Sequence, residues 1–323
     1  MKILLAGSFQ GWMGTHMRHV ADAFRSEGHQ IETFNYAERR TLLGLRIKPL
    51  EAKLLTHRLE SMVSRCKPDL IYCIAAWPYD FERLRSYYSG LVVLHDYDGP
   101  RRNSVSDFLK AKGIDLMLTV SRYEQRLLQE QGMPCAYLPH GVNTEYYSPG
   151  PLPEQEQKLF SAPVSYIGRA TPRRVALCEP LCKLGIRLYG DRWRKYPSCA
   201  ANNPLHRNVQ EKELVSIYRA STCVINLLQE PLDEYKTILS LQCFAVPASG
   251  ACMIAERVEE YPDSFEEGKE ILTFATQEEL QEHVERMLHE PETARRIGET
   301  GRRRCLECHT HVHRVREFMN IIR

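Results

Sequence analysis

Short apolar runs recur along the chain, each separated from the next by a segment with helical spacing, and this alternation restricts the fold more than any other feature. The first six residues run into Gly7-Ser8-Phe9-Gln10-Gly11-Trp12-Met13-Gly14-Thr15-His16, after which Met17, Val20, Ala21 and Phe24 recur on one helical face. That is strand, glycine-rich turn and helix. Gly28 stops the helix and residues 30–34 alternate as a second strand, so a right-handed βαβ unit opens the chain. Residues 69–75, 91–94 and 115–120 read as further buried strands, the last followed by a helix capped by Ser121 and running to Gln131. Residues 150–157, Gly-Pro-Leu-Pro-Glu-Gln-Glu-Gln, offer nothing to bury and read as a linker. Strand-like runs resume at 164–167, 186–189, 223–227, 251–255 and 271–274, and the stretches 277–288 and 294–323 are helical.

Strands that alternate with helices require parallel sheets covered on both faces. The expectation is an α/β chain of two Rossmann-like, doubly wound domains facing across a cleft. Residues 1–150 form the first and 160–307 the second, with 308–323 a closing helix. The length of 323 residues agrees, being about twice the ~150 of one domain. Open parallel sheets bind ligands at the carboxyl ends of their strands, so the pattern favours an enzyme or a nucleotide-dependent binder.

Composition excludes several other classes. Lys and Arg number 43 against 41 Asp and Glu, so no global basic field draws the chain to nucleic acid or to an anionic membrane. The eleven cysteines show no repeated knuckle spacing; Cys178/Cys182 and Cys305/Cys308 stand as isolated pairs, as in a chain of reduced, buried thiols. No stretch approaches the ~20 apolar residues of a membrane span, and the opening run is short for a signal peptide, so a cytoplasmic location is expected.

Chemistry-bearing residues gather at three places. Gly7, Gly11 and Gly14 do not fit the dinucleotide fingerprint and no Gly-Lys-Ser/Thr is present, which leaves a glycine loop at a helix N-terminus. His95, Asp96 and Asp98 stand just past a buried strand, where a carboxylate or imidazole can orient or deprotonate a hydroxyl; the alternative is a capped turn before Pro100. Arg169, Arg173 and Arg174 follow Gly168, and Lys236-Thr237 opens a presumed helix, so both places suit a diphosphate or are solvated surface. No metal-ligating Asp-x-Asp appears, Asp96-Tyr97-Asp98 being read at the hydroxyl, so no metal or other cofactor is expected. His309, His311 and His313 do not share a helical face.

Leu138-Pro139-His140-Gly141-Val142-Asn143 resembles the Leu-Pro-His/Asn-Gly-Val-Asp signature of nucleotide-sugar glycosyltransferases with the GT-B fold. The second half is similar to the CgeB-like branch of group 1 glycosyltransferases. Val164 to Arg169 resembles its first donor-domain strand and glycine turn, and Ile186-Arg-Leu-Tyr-Gly190-Asp-Arg-Trp193 its Ile-x-Leu-x-Gly-x-x-Trp. Val224-Ile-Asn226-Leu resembles its buried Ile-x-Leu-Asn strand, and Phe244-Ala-Val-Pro247-Ala-Ser249-Gly250 its Phe-Glu-x-Pro-Ala-Cys-Gly. Phe265-Glu-Glu-Gly268-Lys-Glu-Ile271 and His309-Thr310 through Arg314 resemble its closing motifs. The likeness covers roughly residues 90 to 323.

This resemblance implies a glycosyltransferase that moves a sugar from a nucleotide-diphosphate sugar, its co-substrate, to an acceptor hydroxyl on a glycan, protein, lipid or modified DNA base. In such an enzyme Asp98, Asp96 and His95 are expected at the acceptor, and Arg169, Arg173, Gly168, Lys236, Thr237, Ser249, Gly250, His140 and Gly14 at the donor. The resemblance also implies that the helix at 308–323 crosses back to the first domain. Gln242 and Ala245 stand where the family carries an Arg and a ribose-gripping Glu. That departure motivates the alternative of a non-catalytic GT-B scaffold or sugar-nucleotide sensor.

Overall fold

A computed structural model describes residues 1–37, 48–74, 81–97, 112–228 and 238–323, with side chains from 54 onward in the second of these ranges. They form two units, residues 1–140 with 311–323, and residues 141–310.

The first unit contains β1 (Lys2–Gly7), α1 (Gly11–Ser26), β2 (Gln30–Asn35), α2 (Lys48–Cys66), β3 (Leu70–Ile74), α3 (Phe81–Arg85), β4 (Leu91–Asp96), β5 (Leu116–Thr119), α4 (Arg122–Glu130) and β6 (Cys135–Tyr137). Its strands form one parallel sheet in the order β2-β1-β3-β4-β5-β6. Successive strand residues point to opposite faces, and here both faces are apolar. Leu4, Ala6, Ile71, Cys73, Val92 and Leu94 pack under Leu59 and Val63 of α2. Ile3, Leu5, Tyr72 and Val93 pack on the other face against Met17 and Phe24 of α1 and Phe318 of the last helix. Phe318 meets Phe24 and Tyr72 edge-on at 6.0 and 4.9 Å, a burial that contributes about 1.5–3 kcal/mol.

The second unit contains α5 (Glu154–Phe160), β7 (Ala162–Ile167), α6 (Pro172–Cys182), β8 (Arg187–Tyr189), α7 (Pro197–Ala200), α8 (Glu211–Ala220), β9 (Ser221–Asn226), α9 (Gln242–Ala248), β10 (Cys252–Glu256), α10 (Tyr261–Ser264), β11 (Leu272–Phe274), α11 (Gln277–His289) and α12 (Pro291–Cys308). Its sheet is parallel as well, in the order β11-β10-β9-β7-β8. Two apolar clusters flank it, one built on Phe244, Val246 and Met253 and one on Val164, Leu188 and Ile254. All eleven cysteines are free thiols, nine of them buried. Among the described residues no helix is long and apolar enough to cross a membrane.

Three details differ from the sequence reading. The polar stretch read as a linker carries α5, whose first turn holds Glu154 and Glu156 against the helix dipole and whose Phe160 is buried. The division between units falls at His140/Gly141. The final helical stretch is two helices, α12 and α13 (His311–Ile321), because His309 and Thr310 leave the helix. Val142 N–H donates to the His309 carbonyl at 2.9 Å, and His309 Nε2 donates to the Ser264 carbonyl at 2.8 Å.

Candidate functional site

Open parallel sheets bind at the point where strand order reverses. In the second unit β8 and β9 lie on opposite sides of β7, so the crevice opens at the carboxyl ends of β7 and β9. Gly168 stands there. Its N–H donates to the Tyr189 carbonyl at 2.9 Å and its carbonyl accepts from Trp193 Nε1 at 3.0 Å. Gly190 closes the turn from the other side at φ +127°, and a Cβ on it would lie 2.3 Å from the Gly168 oxygen. The two glycines let the β7 and β8 turns touch backbone to backbone.

The arginines beside this turn have different partners. Arg169 is exposed, with Nε donating to Asp191 at 3.2 Å. Arg173 pairs with Glu256 at the end of β10, and Glu256 also accepts from Leu228 N–H at 3.1 Å. Arg174 donates to the carbonyls of Arg169, Leu227 and Leu228 at 3.2–3.3 Å. Arg169 therefore presents its charge outward, whereas Arg173 and Arg174 hold the crevice wall. Thr171 caps α6 by accepting from Arg174 N–H, so a helix N-terminus starts beside the exposed guanidinium. From α9, Gln242 Nε2 reaches the Ile167 carbonyl at 3.5 Å, while Ala245 is packed inside the apolar cluster. Ser249 and Gly250 end α9 just before the start of β10, at the opposite edge of the sheet; Ser249 Oγ donates to the Val246 carbonyl at 2.6 Å. The fold does not bring these two to the crevice, because α9 runs from the carboxyl edge to the amino edge. Lys236 and Thr237 lie outside the described residues.

The first unit has a different edge. β4 extends to Asp96, so His95 and Asp96 are strand residues, both buried, rather than loop residues past the strand. His95 Nε2 meets the Leu138 carbonyl at 3.0 Å and Nδ1 meets Tyr72 Oη at 2.6 Å. A carbonyl only accepts, so Nε2 carries the hydrogen and the Nδ1 lone pair is taken by Tyr72. Burial, against the Leu138 hydrogen bond, pushes His95 down to about 3. His95 is thus a neutral core histidine, in the wrong place for a general base. Asp98 lies outside the described residues.

Tyr97 is the centre of a buried cluster. Its ring lies 4.4 Å from His95, 4.5 Å from His140 and 5.0 Å from His16, and His16 meets His311 at 4.9 Å. Burial first, then neighbouring histidines, push His140 down to about 3 and hold His16 and His311 well below their ordinary range. His140 also offers its carbonyl to Arg314 Nε at 3.1 Å. Gly14 lies in α1, where a Cβ would stand 2.4 Å from the Phe9 carbonyl. The loop after β1 therefore folds directly onto the helix.

Sequence reasoning missed three features here. Glu124 of α4 is fully buried beside Asp96, with Thr119 Oγ1 donating to it. Glu256, partner of Arg173, carried no local signal. A groove of about 600 Å³ beside the ends of β1 and β2 is lined by Phe9, Asn35, Arg58, Met62 and Arg65 among others. Among the described residues no group of three or more His, Cys, Asp or Glu is arranged to hold a metal ion.

A family model described as glycosyl transferase-like matches residues 173–320, just under half of the chain. No curated protein matches the sequence. Sucrose-phosphate synthase from Thermosynechococcus elongatus superposes with a TM-score of 0.71 at 12% identity, over 100% of this chain and 99% of that one. The catalytic domain of starch synthase IV from Arabidopsis thaliana, bound to ADP and acarbose, gives 0.72 at 12% identity over 99% and 98%. HepE from Anabaena in complex with UDP gives 0.68 at 13% identity over 100% and 99%. The chain has the two-domain α/β fold of these GT-B glycosyltransferases, and its C-terminal half is glycosyltransferase-like.

Proposed function

We propose that this protein is a glycosyltransferase that moves a sugar from a nucleotide-diphosphate sugar to an acceptor hydroxyl, in the manner of the CgeB-like branch of group 1. The observation that carries the reading is the match of the glycosyl transferase-like model across the unit that holds the Gly168 crevice. That unit binds the donor. The diphosphate lies at the Gly168 turn, held by Arg169, by the Arg173 N–H that Pro172 and the Thr171 cap leave at the start of α6, and by Lys236-Thr237. Arg173 acts by holding Glu256 and the Leu228 backbone in place. Gln242 takes part of the ribose contact that a carboxylate makes in the family. The reaction proceeds without a metal, the leaving diphosphate being neutralised by these cations and N–H groups. In the first unit, Asp96 and Asp98 orient or deprotonate the acceptor hydroxyl, and the groove with Arg58 and Arg65 receives the acceptor. The acceptor is a glycan, protein, lipid or modified DNA base, and the protein works in the cytoplasm.

A second reading keeps the fold without the chemistry. Ala245 is buried among apolar neighbours, so no carboxylate occupies the family's ribose position. A scaffold or sugar-nucleotide sensor fits that observation. Titrating the full chain with UDP, GDP, CDP and dTDP, free and as sugars, separates the two readings. A ligand at 100 times its Kd stabilises by ~2.7 kcal/mol, which a melting curve resolves. Selective stabilisation by one nucleotide, unchanged by a chelator, followed by donor turnover supports the metal-independent transferase. Binding without turnover supports the sensor, and silence across the panel removes the donor site.

A further inference from the structure

Glu124 has no part in the reaction as described so far, yet its placement is specific. Strand pairing sets Asp96, the last residue of β4, opposite Thr119, the last residue of β5. Ser121 then caps α4, its side chain accepting from Glu124 N–H at 3.2 Å. A helix that starts Ser-x-x-Glu ordinarily turns the glutamate back onto the N-cap N–H. Here Thr119 Oγ1 accepts the Ser121 N–H at 3.1 Å and donates its own hydrogen to Glu124 Oε2. The Glu124 carboxyl is thereby diverted from its cap to the end of β5, next to Asp96. Glu124 is 0% and Asp96 3% exposed, and Glu124 Oε1 has no hydrogen-bond partner among the described residues.

Two buried carboxylates on adjoining strand ends repel strongly where water cannot screen them, and one proton relieves the repulsion. Burial, then the Asp96 charge, push Glu124 up to about 8, against the Thr119 hydrogen bond. Among the described residues, the other titratable groups at this edge include His95 of β4, Cys135 of β6, whose thiol burial and then both carboxyls push up to about 12, and Arg122, lying 4.4 Å over the Tyr137 ring.

We propose that Glu124 is a positioning residue for Asp96: the buried pair holds a single proton, carried by Glu124, which leaves Asp96 as the ionised group that orients the acceptor hydroxyl. The role toward the acceptor rests on the glycosyltransferase reading; the shared proton does not. A carboxyl whose folded pKa lies above its unfolded value stabilises fully below about 4.5, and that stability is lost as pH rises through about 8.

The test compares the full-length wild type with Glu124→Gln and Asp96→Asn. Melting temperature is followed from about pH 4 to about pH 9, together with the infrared carboxylic-acid stretch of wild-type protein labelled at its glutamate carboxyls. The expected result is an acid band at neutral pH that fades near pH 8. Wild-type melting should carry a fall between about pH 4.5 and about 8 that levels off above it; Glu124→Gln should lack this fall and Asp96→Asn should show less of it. In transfer assays an alkaline limb near pH 8 appears in kcat rather than KM, and Glu124→Gln removes it. No acid band at neutral pH, or the same fall between about pH 4.5 and about 8 in Glu124→Gln, overturns the proposal. If Glu124→Gln does not fold, the wild-type band decides alone. If the band is present but no donor is bound or turned over, the shared proton stands and the glycosyltransferase reading falls.

Discussion

The carboxyl edges of the two sheets solve one problem in opposite ways. In the first unit, titratable groups are taken out of water and held away from their charged forms: His16, His95 and His140 gather round Tyr97 with His311 against His16, and Glu124 is pushed up by burial and by Asp96. In the second unit the corresponding groups pair, Arg169 with Asp191 and Arg173 with Glu256, with their side chains partly in solvent. Burial makes an edge sensitive to protons, because each buried neutral group gains stability only while it remains neutral. Pairing at a partly solvated edge makes it sensitive to salt.

The largest effect that probes this contrast is on turnover. With the donor identified, Asp96→Asn should lower kcat by the 10²–10⁴ of lost acid–base catalysis. Arg169→Gln in the other unit should instead appear mainly as weaker nucleotide binding. Equal effects of both variants on kcat alone would erase the division of labour.

Acid comes next. The His95 and His140 pKa values are depressed, so their contribution is complete above the unfolded value of 6.5 and is lost as pH falls towards about 3. At about pH 4.5, two units below that value, each costs about 2–3 kcal/mol at 1.36 kcal/mol per unit. Hydrogen exchange should therefore show the first unit opening at a pH where the second remains protected. Simultaneous opening would mean that the histidine cluster does not set the acid limit.

In the second unit, Arg173→Ala leaves Glu256 with one partner fewer and should cost about 1.5–3 kcal/mol, read from denaturant midpoints. The loss should shrink in high salt, which an apolar packing defect would not do. Smallest is Trp193→Phe. The ring stays buried but the bond to the Gly168 carbonyl goes, for about 1 kcal/mol, and nucleotide affinity should fall with it if that turn is the donor site.

Much of the fold was legible beforehand. The runs at 164–167, 223–227 and 271–274 became β7, β9 and β11 within two residues, and Ser121 caps α4 as read. These are period-two or period-3.6 patterns and single-residue capping preferences, all properties of a few neighbouring residues. The helix α5 was hidden because its one buried side chain, Phe160, lies at its end and the rest is polar. The break at His309-Thr310 was hidden because its partners, Ser264 and Val142, are far away in sequence.

The candidate site was legible in its residue types and less so in its roles. His95 looked like a base until Tyr72 and Leu138 were found on its two nitrogens. Arg173 looked as available as Arg169 until Glu256, 83 residues later, was found beside it. Ser121 was read as a helix cap, but Glu124 was not read at all, because only Thr119, paired with Asp96 across β5 and β4, turns its carboxyl toward Asp96.

Alternating strands and helices, parallel sheets, glycine turns and capped helices follow from local sterics and from which side chains avoid water, and both are written in short stretches of sequence. Strand order, the return of α13 to the first unit, and the neutral or paired state of each ionisable group are different in kind. They depend on which distant residues share a low-dielectric space, since a charge is stable there only with a partner or without its proton. Residues 16, 95, 140 and 311 carry no mutual signal along the chain; only the tertiary structure brings the first three against Tyr97 and the fourth against His16.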